Sequence, residues 1–139
     1  MTGMAVADSH IEQVVEAFEK ATIDAADFDH EAHLLVGWRY LQDLSLLDAI
    51  KRFSGALKRL TRKLGVASKY HETITWFYLI KIAERCRGKA ATDWPAFKAA
   101  NPDLFARDPS LVRQYYSESL LASEDARRLF VFPDRWSED

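Results

Sequence analysis

Six apolar residues, Leu46, Ile50, Phe53, Leu57, Leu60 and Leu64, follow one another at spacings of 4, 3, 4, 3 and 4. An α-helix repeats every 3.6 residues, so this run is one continuous seam along one helix; a strand, with its period of two, would scatter it over both faces. The positions between carry Lys51, Arg52, Lys58, Arg59, Arg62 and Lys63. A helix divided in this way lays its seam on a partner and its cations in water. Its ends are marked as well. Ser45-Leu46-Leu47-Asp48 has the form of a capping box with Asp in place of Glu, and Gly65 stands just past the end.

Three further segments have helical period. Ser9-His10-Ile11-Glu12 is a second capping box, and behind it Ile11, Val14, Val15 and Phe18 share a face of a helix expected to end near Ile23. Asp29 caps a helix from His30 to about Gln42, in which Leu34, Leu35, Val36, Trp38, Tyr40 and Leu41 leave almost no polar side. Ser68 is expected to cap a fourth, Lys69 to Arg87, closed by Gly88, with Ile74, Trp76, Phe77, Tyr78, Leu79, Ile80 and Ile82 again nearly all round. Shorter helices are expected over Trp94–Ala99, Ser110–Leu121 and Ser123–Phe130, the last ended by Pro133. With 139 residues, 5 glycines and 4 prolines, and no hairpin dipeptide, the expectation is an all-α single domain over 1–139. Its form would be one compact helical bundle of four main helices plus short C-terminal ones. Residues expected in its core include Phe53, Leu57, Leu60, Trp38, Ile74 and Tyr78.

Composition removes several function classes. The net charge is −2, so nothing global demands nucleic acid or a membrane. The single cysteine, Cys86, forbids an internal disulfide and a thiolate zinc cluster. Met1 to His10 shows no secretory signal, and the uncharged stretch Thr73–Ile80 is far short of the ~20 residues of a membrane span. A cytoplasmic protein follows as the expectation, with neither nucleic acid nor membrane as partner. The charge is nonetheless uneven: residues 1–43 hold nine acids and two bases, net −7, and residues 44–70 hold one acid and seven bases, net +6.

Chemistry points to the histidines. His30 and His33, at i and i+3, share a face that Gly37 would leave open, and His71, Thr75 and Tyr78 form a polar stripe on the other strongly apolar helix. Polar stripes on apolar helices are expected to meet each other or a shared pocket. An up-down-up path through the short turns at Asp43-Leu44 and Gly65–Ala67 would put both helix starts at one end of a bundle. Three neutral imidazoles there suit a divalent transition metal, Zn, Fe, Ni or Cu, with Glu19, Glu31 or Glu72 supplying a carboxylate. The proposed ligands are therefore His30, His33, His71, Glu72 and Glu19, with Thr75, Tyr78 and Arg127 placed to act on a small-molecule substrate. Such a site would make a metal-dependent hydrolase or oxygenase. His30-Glu31-Ala32-His33 is one residue short of H-E-x-x-H, and neither a nucleophile elbow, a P-loop nor a dinucleotide fingerprint occurs. The alternative is a non-catalytic interaction module that uses the basic helix 45–64 to hold an acidic partner. A third reading has the histidines bonding a ligand directly, without metal.

Phe28-x-His30-x-x-His33-Leu34, Tyr70-His71-Glu72-Thr73-x-Thr75, Tyr116-Ser117-x-x-x-Leu121-x-Ser123-x-x-Ala126-Arg127 and Val131-x-Pro133-Asp134 stand together over residues 14–134. In these the chain resembles a family of small bacterial all-helical proteins with no known activity. The resemblance implies that the three histidine positions, Glu72, Thr73, Thr75, Tyr116, Arg127 and Asp134 belong to the family's pattern. Asp29 departs from it in standing where a hydroxyl N-cap is expected, which keeps the helix start. Arg127 and Asp134, or Arg127 and Glu72, are expected to pair and fix the tail.

Overall fold

The computed structural model describes residues 2–87 and 93–135, with side chains from residue 9 onward. The helices are α1 (Thr2–Glu19), α2 (His30–Asp43), α3 (Leu46–Lys63), α4 (Glu72–Cys86), α5 (Trp94–Ala100), α6 (Pro102–Phe105), α7 (Glu118–Leu121) and α8 (Glu124–Arg128). Two 3-10 turns, Ala67–Lys69 and Leu111–Gln114, lie between them. Among the described residues no strand forms; an isolated antiparallel bridge joins Arg107 and Ser110. The all-α class is what the chain adopts. The chain divides into two compact units, residues 1–70 and 71–139. The expected closing glycine of the fourth helix, Gly88, lies outside the described residues.

In residues 1–70 each of α1, α2 and α3 packs on the other two. Rings fill the centre. Phe18 stacks on Phe28 with centroids 4.6 Å apart, and Phe53 lies 5.1 Å from Phe18. The α3 seam is buried as its period requires, at Ile50, Phe53, Leu57 and Leu60, although Leu64 at its end is exposed. Ser45 Oγ accepts from Asp48 N at 3.2 Å, and Gly65 closes the helix with φ +75°. The first helix corrects the sequence reading at both ends. It starts at Thr2, so Ser9 is inside it: the run Met4-Ala5-Val6-Ala7 has nothing to stop a helix. It stops at Glu19, where Ala21 takes a left-handed φ of +56° and Thr22 N bonds back to Ala17 O at 2.8 Å.

In residues 71–139, α4 packs on α8 and on the turn Leu111–Gln114. Phe77, Leu79, Ile82, Leu104, Leu111, Val112, Tyr116, Leu121 and Ala126 form the core. Arg85 makes a bidentate pair with Asp103, 2.9 and 2.7 Å, that ties α4 to α6. α4 begins at Glu72, not at Lys69, because His71 is its N-cap while Ala67–Lys69 makes a separate 3-10 turn. Ile74 and Tyr78 are only partly buried; the buried line of α4 runs through Thr73, Phe77, Leu79 and Ile82. The expected helix Ser110–Leu121 is broken in two at Tyr115–Ser117.

Candidate functional site

His30 and His33 open α2 as their spacing predicts. Asp29 caps the helix, its carboxylate accepting from Ala32 N at 2.9 Å. His33 Nδ1 lies 2.7 Å from the Asp29 carbonyl oxygen, to which it donates, and its ring is 4.0 Å from that of Phe28. Gly37 is buried within α2 rather than fronting open space. Glu31 is exposed. It joins His10, Asp27 and Asp29 along a cleft of about 460 Å³. Glu19 has other partners: Tyr40 donates its hydroxyl at 2.8 Å and Arg52 its Nε–H at 2.5 Å. Burial would push the Glu19 carboxyl up, but the two hydrogen bonds and the charges of Arg52 and Arg59 outweigh it and hold the group below the ordinary range.

The other candidates belong to residues 71–139. His71 uses both ring nitrogens: Nδ1 accepts from Ile74 N at 3.1 Å, and Nε2 donates to Leu121 O at 2.7 Å. Burial, against the help of the Leu121 bond, and the neighbouring Arg127 charge push its pKa below the usual histidine value. Glu72 accepts from Trp76 Nε1 at 3.1 Å. Thr75 donates to the His71 carbonyl at 2.8 Å, the ordinary local bond of a mid-helix threonine. The Tyr78 hydroxyl faces Ser110 and the Val112 backbone, and burial raises its pKa. Among the described residues no group of three or more His, Cys, Asp or Glu side chains is disposed to hold a metal ion.

Arg127 does not take the expected partners. Its Nη1 lies 3.4 Å from Glu124, and its Nε is buried without a partner among the described residues. Asp134 instead accepts from Ser117 N at 2.7 Å and Ser117 Oγ at 2.6 Å. The tail is fastened by residues that the sequence did not single out for that task. Thr73, fully buried, donates to Leu129 O at 2.6 Å and accepts from Val131 N at 3.2 Å. Tyr116 donates to Val131 O at 2.6 Å. Three of the four motifs quoted above thus supply the bonds that hold segment 129–135 in place. The signal was a threonine in the first turn of an apolar helix, a position where a polar group left without a partner would be costly.

The basic helix carries a division of labour that sequence cannot show. Residues advance by 100° each, so Arg52, Arg59 and Lys63 form one row and Lys51, Lys58 and Arg62 the row beside it. The first row is spent on the end of α1: Arg52 on the Glu19 carboxylate, Arg59 on the Glu19 carbonyl at 3.3 Å, and Lys63 on the Ala21 carbonyl at 2.6 Å. Cations at the negative end of a helix dipole satisfy carbonyls that have no partner within the helix. Both rows are exposed, but no carboxylate pairs with the second among the described residues. Lys58 only leans over the Tyr70 ring, 5.1 Å from its centroid. No helix among the described residues is long and apolar enough to cross a membrane. No family model matches the chain, and neither the curated proteins nor the solved structures yield a similar one.

Proposed function

We propose that this chain is an interaction module that holds an acidic polypeptide along the outer row of α3. The observation that carries the reading is the contrast between the two basic rows. Arg52, Arg59 and Lys63 are engaged in holding α1, whereas Lys51, Lys58 and Arg62, equally exposed, have no carboxylate partner among the described residues. A row of two lysines and an arginine that serves no internal ion pair among the described residues is the complement of an acidic surface. A single unengaged row, on a chain of net charge −2, is narrow for duplex nucleic acid. The opposite face of α3 is core, so no apolar side remains to enter a lipid surface. The histidine–metal reading asks more of the molecule. With Nε2 of His71 donating to Leu121, only Nδ1 is left for an ion, and Nδ1 already caps α4.

Fluorescence anisotropy with labelled polyglutamate tests the proposal. Binding at low salt should weaken as salt is added, because exposed charges are screened over about 10 Å at 0.1 M. Lys58→Glu with Arg62→Glu should abolish it and leave the thermal midpoint in place, since exposed charges contribute only ~0–1 kcal/mol. Absence of binding, binding indifferent to that reversal, or tighter binding of a DNA duplex would overturn the reading.

A further inference from the structure

Gly55 sits in the middle of α3, on the side away from the seam, and is half-buried beside the Arg59 side chain. Its φ is not left-handed, so no backbone need selects glycine there. A Cβ added to it would meet only the Arg59 Nη1 atom, at 3.8 Å, an ordinary contact, so no crowding within the chain selects it either. Glycine is the poorest helix former after proline, and a mid-helix glycine on a solvated face normally gives way to a side chain. Its cost is repaid by nothing inside the molecule.

The neighbours of Gly55 say what lies outside. Leu47, Lys51, Gly55 and Arg59 form one i±4 ridge, and Gly55 is the notch in it. Lys51, Lys58 and Arg62 flank the notch. Leu47, at the N-terminal end of the same ridge, is an apolar side chain 70% exposed, turned about 100° from the apolar seam. From Leu47 to Arg62 the face runs roughly 22 Å at 1.5 Å per residue, about four helical turns.

We infer that the partner is an acidic α-helix that crosses α3 in the notch at Gly55, with an apolar side chain against Leu47 and carboxylates on Lys51, Lys58 and Arg62. This rests on the reading of α3 as the interaction face and adds the shape of the partner to its charge. Helix axes normally stay 8–10 Å apart because side chains intervene, and a glycine at the crossing lets a knob from the other helix seat on bare backbone. A coil attracted only by charge has no use for a notch, nor for an exposed leucine.

Two labelled probes of equal charge separate shape from charge: a hydrocarbon-stapled helical peptide of Glu, Ala and Leu, and polyglutamate, which is a coil at neutral pH. The helical probe should bind about tenfold more tightly. Gly55→Leu, which fills the notch, should erase that preference, leave polyglutamate binding unchanged, and keep or raise helix content by circular dichroism. Gly55→Ala, one methyl in ordinary contact with the Arg59 guanidinium, is the second variant and should weaken only the helical probe, by a smaller factor. Equal affinity for the two probes, or Gly55→Leu and Gly55→Ala without effect, overturns the acidic-helix inference while the interaction face stands. Loss of all binding distinction between wild type and Lys58→Glu/Arg62→Glu overturns the face itself. Preferential binding of anionic vesicles over the helical probe overturns both.

Discussion

At the scale of single residues His71 is the most informative. It is a capping residue whose acceptor is a ring nitrogen, and that fixes its protonation state. Nδ1 must be bare to accept from Ile74, so the proton of the neutral ring sits on Nε2, which donates to Leu121. Protonating Nδ1 would turn two donors on each other at the positive end of a helix. The folded pKa accordingly lies below the ordinary histidine value of 6.5, through burial first, with the Leu121 bond opposing it and Arg127 adding to it. Below 6.5 the unfolded chain therefore binds more protons than the folded one at this site. Stability rises with pH through that window: the full contribution is present above 6.5 and is lost as pH falls toward the folded value. Urea midpoints measured from pH 7.5 to 5 should fall with acidity. His71→Asn keeps a capping acceptor but removes the titration, so its curve should be flatter. Parallel curves for the two proteins would show that His71 is not the group being titrated.

At the scale of elements the chain is held by fastenings more than by helix length. Segment 129–135 has almost no regular structure, and Thr73 is its anchor in α4. Thr73→Val keeps shape and volume but strips one hydroxyl, leaving the Leu129 carbonyl and the Val131 amide without that partner. A buried group left without its partner costs about 1–3 kcal/mol, but Leu129 is exposed and Val131 half-buried, so water replaces part of the loss; roughly 1–2 kcal/mol in chemical denaturation is expected, with faster exchange of the Val131 amide. A change under about half a kcal/mol would mean that the bonds from Tyr116 and Ser117, with the apolar contacts, hold the tail without Thr73. The same elements show what sequence can and cannot reveal. The α3 seam, Asp29 and Ser45 as caps, and Gly65 as the stop were all readable, because each depends on residues within one or two turns. The start of α4 was misplaced because Ser68 is the better cap by composition, and only Leu121, fifty residues away, holds the His71 ring in the capping position. The basic doublets of α3 were visible as charge. Which member of each doublet is used up depends on where α1 ends, and that is set by Ala21, not by anything in α3.

At the scale of the whole molecule a net charge of −2 conceals a strong internal polarity. Residues 1–43 carry nine acids and two bases, and residues 44–70 one acid and seven bases. An acidic partner approaching the outer row of α3 is drawn by one set and repelled by the other. Contacts formed only after docking govern how long it stays, while the field of all the charges governs how often it arrives. Asp24 and Asp27 are exposed in the connector between α1 and α2, outside the α3 row, and are expected to act on arrival alone. Asp24→Asn with Asp27→Asn takes the formal charge from −2 to 0 by removing two acids. Asp29, which caps α2, is left alone. Stopped-flow mixing with labelled polyglutamate at low salt should then show association about two- to threefold faster and dissociation unchanged. The gain should vanish near 1 M salt, where screening falls to about 3 Å. A change carried by the dissociation rate would place the two aspartates in the docked interface, and an unchanged association rate would mean that the acidic half of residues 1–70 exerts no field where the partner arrives.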